Sequence, residues 1–154
     1  MSHQGMVHAL QQIHRLLTPS GILVDIHPVL EAPLVEVLAC EAVVHAEPEP
    51  DVSLEDYRQA ELALAEVVDR GFYTLDSTSE FELLVRANSV SELVEFEQDT
   101  SAYVSRQKSS DEEARERGLM ARVEQALCEA GPASIIAIRE RGRISRYSLP
   151  HLKA

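Results

Sequence analysis

The segment that most constrains the fold lies at the start of the chain, where a helical pattern gives way to an apolar run. Apolar residues recur every three or four positions from Gly5 to Leu17, which predicts an amphipathic helix. Proline and glycine then break the helix between Thr18 and Gly21 and favour a turn. The run from Ile22 to Ile26 is almost entirely apolar, which is typical of an interior parallel strand covered on both faces. We therefore expect a mixed α/β fold.

Three further helices are predicted from their capping signals. Serine followed three residues later by an acid satisfies the free amides at the start of a helix. The helices so predicted run from Ser53 to Gly71, from Ser89 to about Tyr103 and from Ser110 to Gly131, with a loop over 106–110 before the last one.

One region fits two interpretations. Pro33 to Val44 is either a second helix or a short helix that runs into a strand from Glu41 to Ala46. The segment from Ala46 to Asp51 is rich in proline and acids and predicts a loop or a polyproline stretch.

Alternating or β-branched residues predict strands in the second half of the chain. These strands cover Phe72 to Thr78, Glu80 to Ala87, Ser134 to Arg139 and Arg143 to Ser148. The last two are expected to form a hairpin that turns near Arg141 and Gly142. Because the chain has 154 residues, no internal repeat and no long linker, we expect residues 1–154 to form a single domain.

Charge and composition exclude several classes of partner. The formal net charge is −12, which argues against binding to nucleic acid or to an anionic membrane. No apolar run approaches the ~20 residues that a membrane span needs, and the first residues lack the features of a signal peptide, so a cytoplasmic location is expected. Cys40 and Cys128 are expected to be reduced, buried thiols.

The segment from Ala9 to Asp25 resembles the class I S-adenosylmethionine-dependent methyltransferases. In that family a helix that ends in an arginine and two aliphatic residues, here Arg15, Leu16 and Leu17, meets a Pro-Gly-Gly turn and then the fifth strand. Ser20 replaces the first glycine of the turn. The downstream layout is also similar, so the resemblance covers nearly the whole chain. It implies a partial Rossmann-like methyltransferase sheet, the C-terminal half, with flanking helices and a C-terminal β-hairpin.

The resemblance leaves out the half that binds the cofactor. In the family, a glycine-rich loop and an acid in the first half of the sheet hold S-adenosylmethionine, because only glycine allows close backbone approach. The chain has six glycines, and no two of them lie within ten residues of each other. The resemblance therefore implies a chain that begins after the family's fourth strand. We expect no cofactor for the isolated chain, and S-adenosylmethionine only if another chain completes the sheet.

Two sets of residues are candidates for a functional site. Asp25 and His27 share one face at the end of the predicted strand, where a carboxylate can orient an imidazole as a general base. The alternative is a strand-end pair that faces solvent or caps the next helix. Arg139, Arg141 and Arg143 alternate along a strand and form a candidate anion patch, or else an ordinary charged face that pairs with acids elsewhere. No spacing of histidine, cysteine or acids indicates a metal site.

Three functions follow from these observations. The first is a methyltransferase-related protein that is not catalytic alone and acts through a homodimer or a complex with a methyltransferase homologue, because a half-sheet leaves an open apolar edge. The second is an S-adenosylmethionine-dependent methyltransferase whose cofactor half is missing from this chain or supplied by another chain. The third is a module that binds a small anionic ligand.

Overall fold

The structure is a computed structural model that describes residues 2–101 and 108–150. It is a mixed α/β fold, which confirms the predicted α/β class, and it has a five-strand antiparallel sheet with flanking helices. Within the sheet, β1, β5, β2 and β3 follow one another, and β4 pairs with β5. The elements are α1 (His3–Leu16), β1 (Ile22–Pro28), β2 (Leu34–Ala39), β3 (Ala42–Pro48), α2 (Leu54–Asp69), β4 (Thr74–Ala87), α3 (Val90–Ser101), α4 (Ser110–Ala130) and β5 (Ser134–Ser148).

The chain divides into two compact units. Unit 1 consists of residues 1–31, 53–81 and 141–154, and unit 2 of residues 32–52 and 82–140. No helix in the described ranges is long and apolar enough to cross a membrane.

Unit 1 packs helices α1 and α2 on one face of its strands. Strand β1 pairs antiparallel with the last part of β5, from Ile22 opposite Ser148 to Pro28 opposite Gly142. The buried cluster that joins helices to strands consists of Val7, Ala63, Leu64, Val67, Tyr73 and Tyr147. The hydroxyl of Tyr73 donates a hydrogen bond of 2.8 Å to the carbonyl oxygen of Leu10, which ties α1 to this cluster.

Strand β1 is present where it was predicted, but the prediction of an interior parallel strand was wrong. Its partner β5 runs antiparallel, and in the described residues β5 is the one strand that pairs with it. Ile22, Val24 and Ile26 are 45, 47 and 62% exposed, so one face of the strand is open. A short apolar run does not by itself distinguish a strand covered on both faces from an edge strand with an exposed apolar face.

Unit 2 has a core between its strands and the helices α3 and α4. Strand β2 pairs with β3 and with the first part of β5, both antiparallel. The buried cluster consists of Val35, Val37, Ala87, Leu93, Leu119, Val123 and Ile136.

The region from Pro33 to Val44 contains no helix. The interpretation as a second helix was therefore wrong, and so was the short helix of the other interpretation. It forms the hairpin β2–β3, and Ala39 and Ala42 pair on either side of a two-residue turn. Cys40 and Glu41 form this turn with φ of 50° and 66°. Asn and Gly usually occupy such positions, and without them the sequence carries no turn signal. Apart from its first residue, the predicted strand from Glu41 to Ala46 belongs to β3, which begins at Ala42 and extends into the predicted loop as far as Pro48.

The helix predictions were confirmed, with differences at their starts. Ser2 caps α1 by accepting a hydrogen bond from the Gly5 amide. The capping box of α4 is formed by Ser109 and Glu112, one residue earlier than predicted. At α2, the Ser53 hydroxyl donates to the Asp56 carboxylate, so the predicted box is not formed. The predicted end of α3 near Tyr103 lies outside the described residues.

The prediction of a C-terminal β-hairpin was wrong, because Ser134 to Ser148 form one continuous strand. The predicted pair of strands from Phe72 to Ala87 is likewise one strand, β4. Gly142, taken as a turn residue, lies inside β5, where the ring of Phe81 occupies the space that a Cβ would take. A glycine inside a strand often marks such a close approach.

Both cysteines are free, but they are exposed rather than buried as predicted. Cys40 lies in the β2–β3 turn, and Cys128 lies on the solvent-facing side of α4. In sequence, Cys128 lies among partly buried residues of α4. The pattern of apolar residues therefore did not show whether Cys128 faces the core or the solvent.

Candidate functional site

A cleft of about 520 Å³ lies within unit 1. Helix α2 forms one wall, and β4, β5 and the end of β1 form the other. The apolar lining consists of Leu64, Ala65, Val68, Leu75 and Tyr147, and the polar lining of His27, Glu61, Asp69, Thr78, Ser79, Glu80, Arg143 and Ser145. This volume falls within the range of about 300–1,000 Å³ that is usual for small-molecule sites.

Asp25 and His27 meet at the edge of this cleft, on one face of β1. The imidazole Nδ1 lies 2.5 Å from Oδ2 of Asp25. This hydrogen bond, partly offset by burial, raises the pKa of His27, and the charge of Asp25 and the nearby Glu61 act in the same direction. A greater fraction of His27 is therefore protonated at neutral pH than of an ordinary histidine. The pair is better suited to hold a proton than to remove one.

The other imidazole nitrogen of His27 faces helix α2. Its Nε2 is buried and lies 3.7 Å from Oε1 of Glu61, longer than a hydrogen bond. The same Oε1 accepts a hydrogen bond of 2.7 Å from Nη1 of Arg143, which is the residue opposite His27 in the strand register. Glu61 thus lies between the guanidinium group of Arg143 and the imidazole of His27.

Arg143 also joins this group to Glu80 of β4. Its Nη2 donates to Oε1 of Glu80 at 3.1 Å, and Nη2 of Arg141 donates to Oε2 of Glu80 at 2.5 Å. These two guanidinium groups lower the pKa of Glu80, so this carboxylate is ionised at neutral pH.

The structure pairs each arginine of the candidate anion patch with two carboxylates. Arg143 contacts Glu61 and Glu80 as described, Arg141 contacts Glu31 and Glu80, and Arg139 contacts Glu36 and Glu82. Arg139 belongs to unit 2 and has no part in the cleft. An anionic ligand at any of the three would have to displace a carboxylate, so anion binding stays a prediction.

Of the residues in or beside this cleft, Asp25, His27 and Arg143 could be predicted from the sequence, whereas Glu61 and Asp69 were not predicted. Glu61 had a usable signal, because it stands three residues before Leu64 and seven before Val68, on the apolar stripe of a helix. A carboxylate at such a position needs a partner when the stripe is buried. Asp69 is one of two acids in the last turn and a half of α2 and had no comparable signal.

In the parts of the chain that the structure describes, no three histidine, cysteine or acidic side chains are grouped so that they could hold a metal ion.

Comparison with known proteins adds no relative. No protein-family model, no curated protein and no solved structure matches this chain. The resemblance to class I methyltransferases therefore stays a prediction, carried by the helix–turn–strand segment from Ala9 to Asp25.

Proposed function

We propose that this chain is a methyltransferase-related protein that is not catalytic alone and acts by pairing with a second copy of itself through strand β1. The supporting observation is the exposure of this strand. Ile22, Val24 and Ile26 lie on its open face, and within the described residues its second edge has no partner strand. An exposed edge with an apolar face is a template for pairing with another chain.

The apolar surface continues onto the neighbouring strands of unit 1. Ile144 of β5 lies directly opposite Ile26 and is 38% exposed. Phe81 of β4 covers the position next to it, at Gly142. Together with Ile22 and Val24, these residues form an apolar surface on the side of the strands away from α1 and α2, and Arg146 borders it opposite Val24. Burial of such a face stabilises an association by about 25 cal/mol for each Å² removed from water.

A second copy is the partner because the open face of β1 is self-complementary. Antiparallel pairing centred on Val24 places Ile22 of one copy opposite Ile26 of the other, and two-fold symmetry makes both contacts alike. The three side chains carry no charge. Arg146 lies opposite Val24 in the strand register and pairs with Asp76, so the charge beside this contact is partly offset. The net charge of −12 opposes pairing, and salt screens this repulsion.

Light scattering coupled to size-exclusion chromatography tests the proposal. We expect a dimer for the wild type and a monomer for Val24→Lys, because lysine on an edge strand prevents pairing. Val43→Lys is the matched control, since Val43 is equally exposed on β3 of unit 2. Circular dichroism establishes that both variants are folded. A monomeric wild type, or a Val24→Lys variant that still dimerises, would overturn the proposal.

Cross-linking tests the register directly. With Cys40 and Cys128 replaced by serine, Ile22→Cys combined with Ile26→Cys is expected to form intermolecular disulfides on mild oxidation, because the two positions face each other across the two-fold axis. Val43→Cys in the same background is the control. Equal cross-linking of the control would show that collision, not pairing, forms the bond.

An S-adenosylmethionine-dependent methyltransferase completed by another chain is the second candidate. It is favoured by the segment α1–turn–β1, which has the order of elements that the resemblance implies. Here the open edge of β1 would receive a strand of the chain that carries the cofactor half. Both candidates predict no binding of S-adenosylmethionine by the purified chain, and micromolar affinity in calorimetry would contradict both. Light scattering separates them, because the first candidate predicts a dimer through β1, whereas the second leaves the edge of β1 open in the purified chain.

A further inference from the structure

We propose that the cleft of unit 1 binds a small organic cation, an amine carried on an apolar body, with its ammonium group beside Asp69. The inference goes beyond the association through β1 and does not depend on it. It rests on the shape of the cleft, on the distribution of charge along it and on the end of helix α2.

The middle of the cleft offers an apolar surface. Leu64, Ala65 and Val68 come from α2, and Leu75 comes from β4 on the opposite wall. Leu75 is 45% exposed although it lines a cleft of about 520 Å³, so its side chain has apolar surface left to cover. A ligand with an aromatic or branched alkyl body would bury this surface, which is the main source of affinity in small-molecule sites.

The charge of the lining is negative. Glu61, Asp69 and Glu80 are the acidic lining residues, against Arg143 and the partly protonated His27. Arg143 engages Glu61 and Glu80, which leaves that end of the cleft nearly neutral. Asp69 makes no ion pair or hydrogen bond with the described residues, and it carries the uncompensated charge of the lining.

The end of α2 adds to this preference. The helix ends at Asp69 and has no basic residue in its last turn. Arg70, the next residue, is held by Glu66 at 2.6 Å. The partial negative charge at a helix C-terminus favours a cation within about one turn. A ligand ammonium beside Asp69 would meet both the carboxylate and this helix end.

The two ends of the cleft therefore differ. Near Asp69 a cation is stabilised, whereas near Arg143 the groups are already paired and offer hydrogen bonds to a neutral polar atom. A carboxylate ligand is disfavoured at the Asp69 end by like-charge repulsion. This asymmetry predicts binding in one orientation.

Isothermal titration calorimetry with three matched probes tests the proposal: 2-phenylethylamine, 2-phenylethanol and 3-phenylpropionate. We expect the amine to bind about fivefold more tightly than the alcohol, the difference that an exposed ion pair of about 1 kcal/mol supplies. The amine's advantage should disappear in Asp69→Asn, and added salt should reduce it. Glu124→Gln, an exposed acid on α4 of unit 2, is the control and is expected to change nothing.

Three results of the titrations would overturn the proposal. They are equal affinity for the amine and the alcohol, an unchanged advantage of the amine in Asp69→Asn, and no binding of the amine at concentrations up to about 10 mM. Amide chemical shifts report where the probe binds, and shifts confined to residues outside 61–80 and 143–147 would also overturn it. None of these measurements depends on whether the chain dimerises through β1.

Discussion

The ring of Phe81 lies so close to the backbone of Gly142 that a Cβ built on this glycine would stand 2.5 Å from the ring carbon Cζ. The two residues belong to neighbouring strands, β4 and β5. The absence of a side chain at position 142 therefore lets the tip of an aromatic ring lie against the backbone of β5.

Alanine at position 142 is expected to destabilise the protein through this contact. Gly142→Ala should lower the free energy of unfolding by about 1–3 kcal/mol, the usual result of adding a methyl group to a packed position. Because Phe81 is 40% exposed and its ring can turn outward, we expect the lower end of that range. Urea denaturation measures the effect. In a Phe81→Ala background the same substitution should have little effect, and an undiminished effect would contradict the explanation.

The stability of unit 1 should depend on the protonation of His27. Its pKa is raised above the ordinary 6.5 by the hydrogen bond to Asp25. A raised folded-state pKa stabilises the protein fully below the unfolded value and ceases to do so as the pH rises through the folded value. The free energy of unfolding should therefore fall as the pH increases from about 6.5 upward.

Asp25→Asn tests this cause, because it removes the carboxylate while leaving Glu61 and Arg143 around the imidazole. The fall of stability above pH 6.5 should become shallower in this variant and should vanish in His27→Gln, with urea denaturation at several pH values as the measurement. A profile of Asp25→Asn identical to that of the wild type would show that Asp25 is not the cause.

The hydroxyl of Tyr73 should contribute measurably to stability. It donates a hydrogen bond of 2.8 Å to the Leu10 carbonyl from a residue that is only 2% exposed. Tyr73→Phe keeps the ring and removes the donor, so we expect a loss of about 1 kcal/mol. Tyr73→Ala also empties the space of the ring and should cost about 3–5 kcal/mol. Thermal and chemical denaturation measure both, and an unchanged stability of Tyr73→Phe would mean that the hydrogen bond does not matter.

The ion pair of Arg139 and Glu36 should respond strongly to the loss of the arginine. Glu36 is 4% exposed, and Arg139 holds its carboxylate through hydrogen bonds of 3.1–3.2 Å. Arg139→Met leaves a buried charge without a partner, which typically costs about 3–5 kcal/mol. Arg146→Met is the control, because that arginine is exposed and its contact with Asp76 is worth less than about 1 kcal/mol.

A second substitution distinguishes the effect of the unpaired buried charge from the effect of lost packing. If the unpaired carboxylate is responsible, Glu36→Gln should recover much of the stability in the Arg139→Met background. No recovery would instead assign the loss to the packing of the arginine side chain.

The helices could be predicted because their signals are local. Such signals act within one turn, and Gly131 ends α4 as predicted. The exact caps were less predictable, since Ser109 rather than Ser110 caps α4 and the Ser2 cap of α1 was not predicted. The pairing of strands depends on residues distant in sequence. The residues near Ile22 to Ile26 do not indicate that the neighbouring strand is β5 or that it runs antiparallel. The residues near Gly142 do not indicate that the ring of Phe81 occupies the space beside this glycine.

The candidate site divides in the same way. Asp25 and His27 could be predicted as a pair, because residues two apart in a strand share a face. Glu61 approaches them only because α2 packs over β1, and Asp69 lines the cleft only because β4 returns along the same helix. Such neighbours follow from tertiary packing, which spacing in the sequence does not contain.

The hairpin turn at Cys40 and Glu41 places two ordinary side chains in the left-handed region of the backbone. Each such residue costs of order 1 kcal/mol relative to glycine. Replacing the pair by the common turn sequence, Cys40→Asn with Glu41→Gly, should therefore strengthen the hairpin without altering any packed side chain. The exposed thiol of Cys40 would be removed at the same time. The two substitutions together would therefore raise the thermal stability of the protein and make it less prone to oxidation on storage.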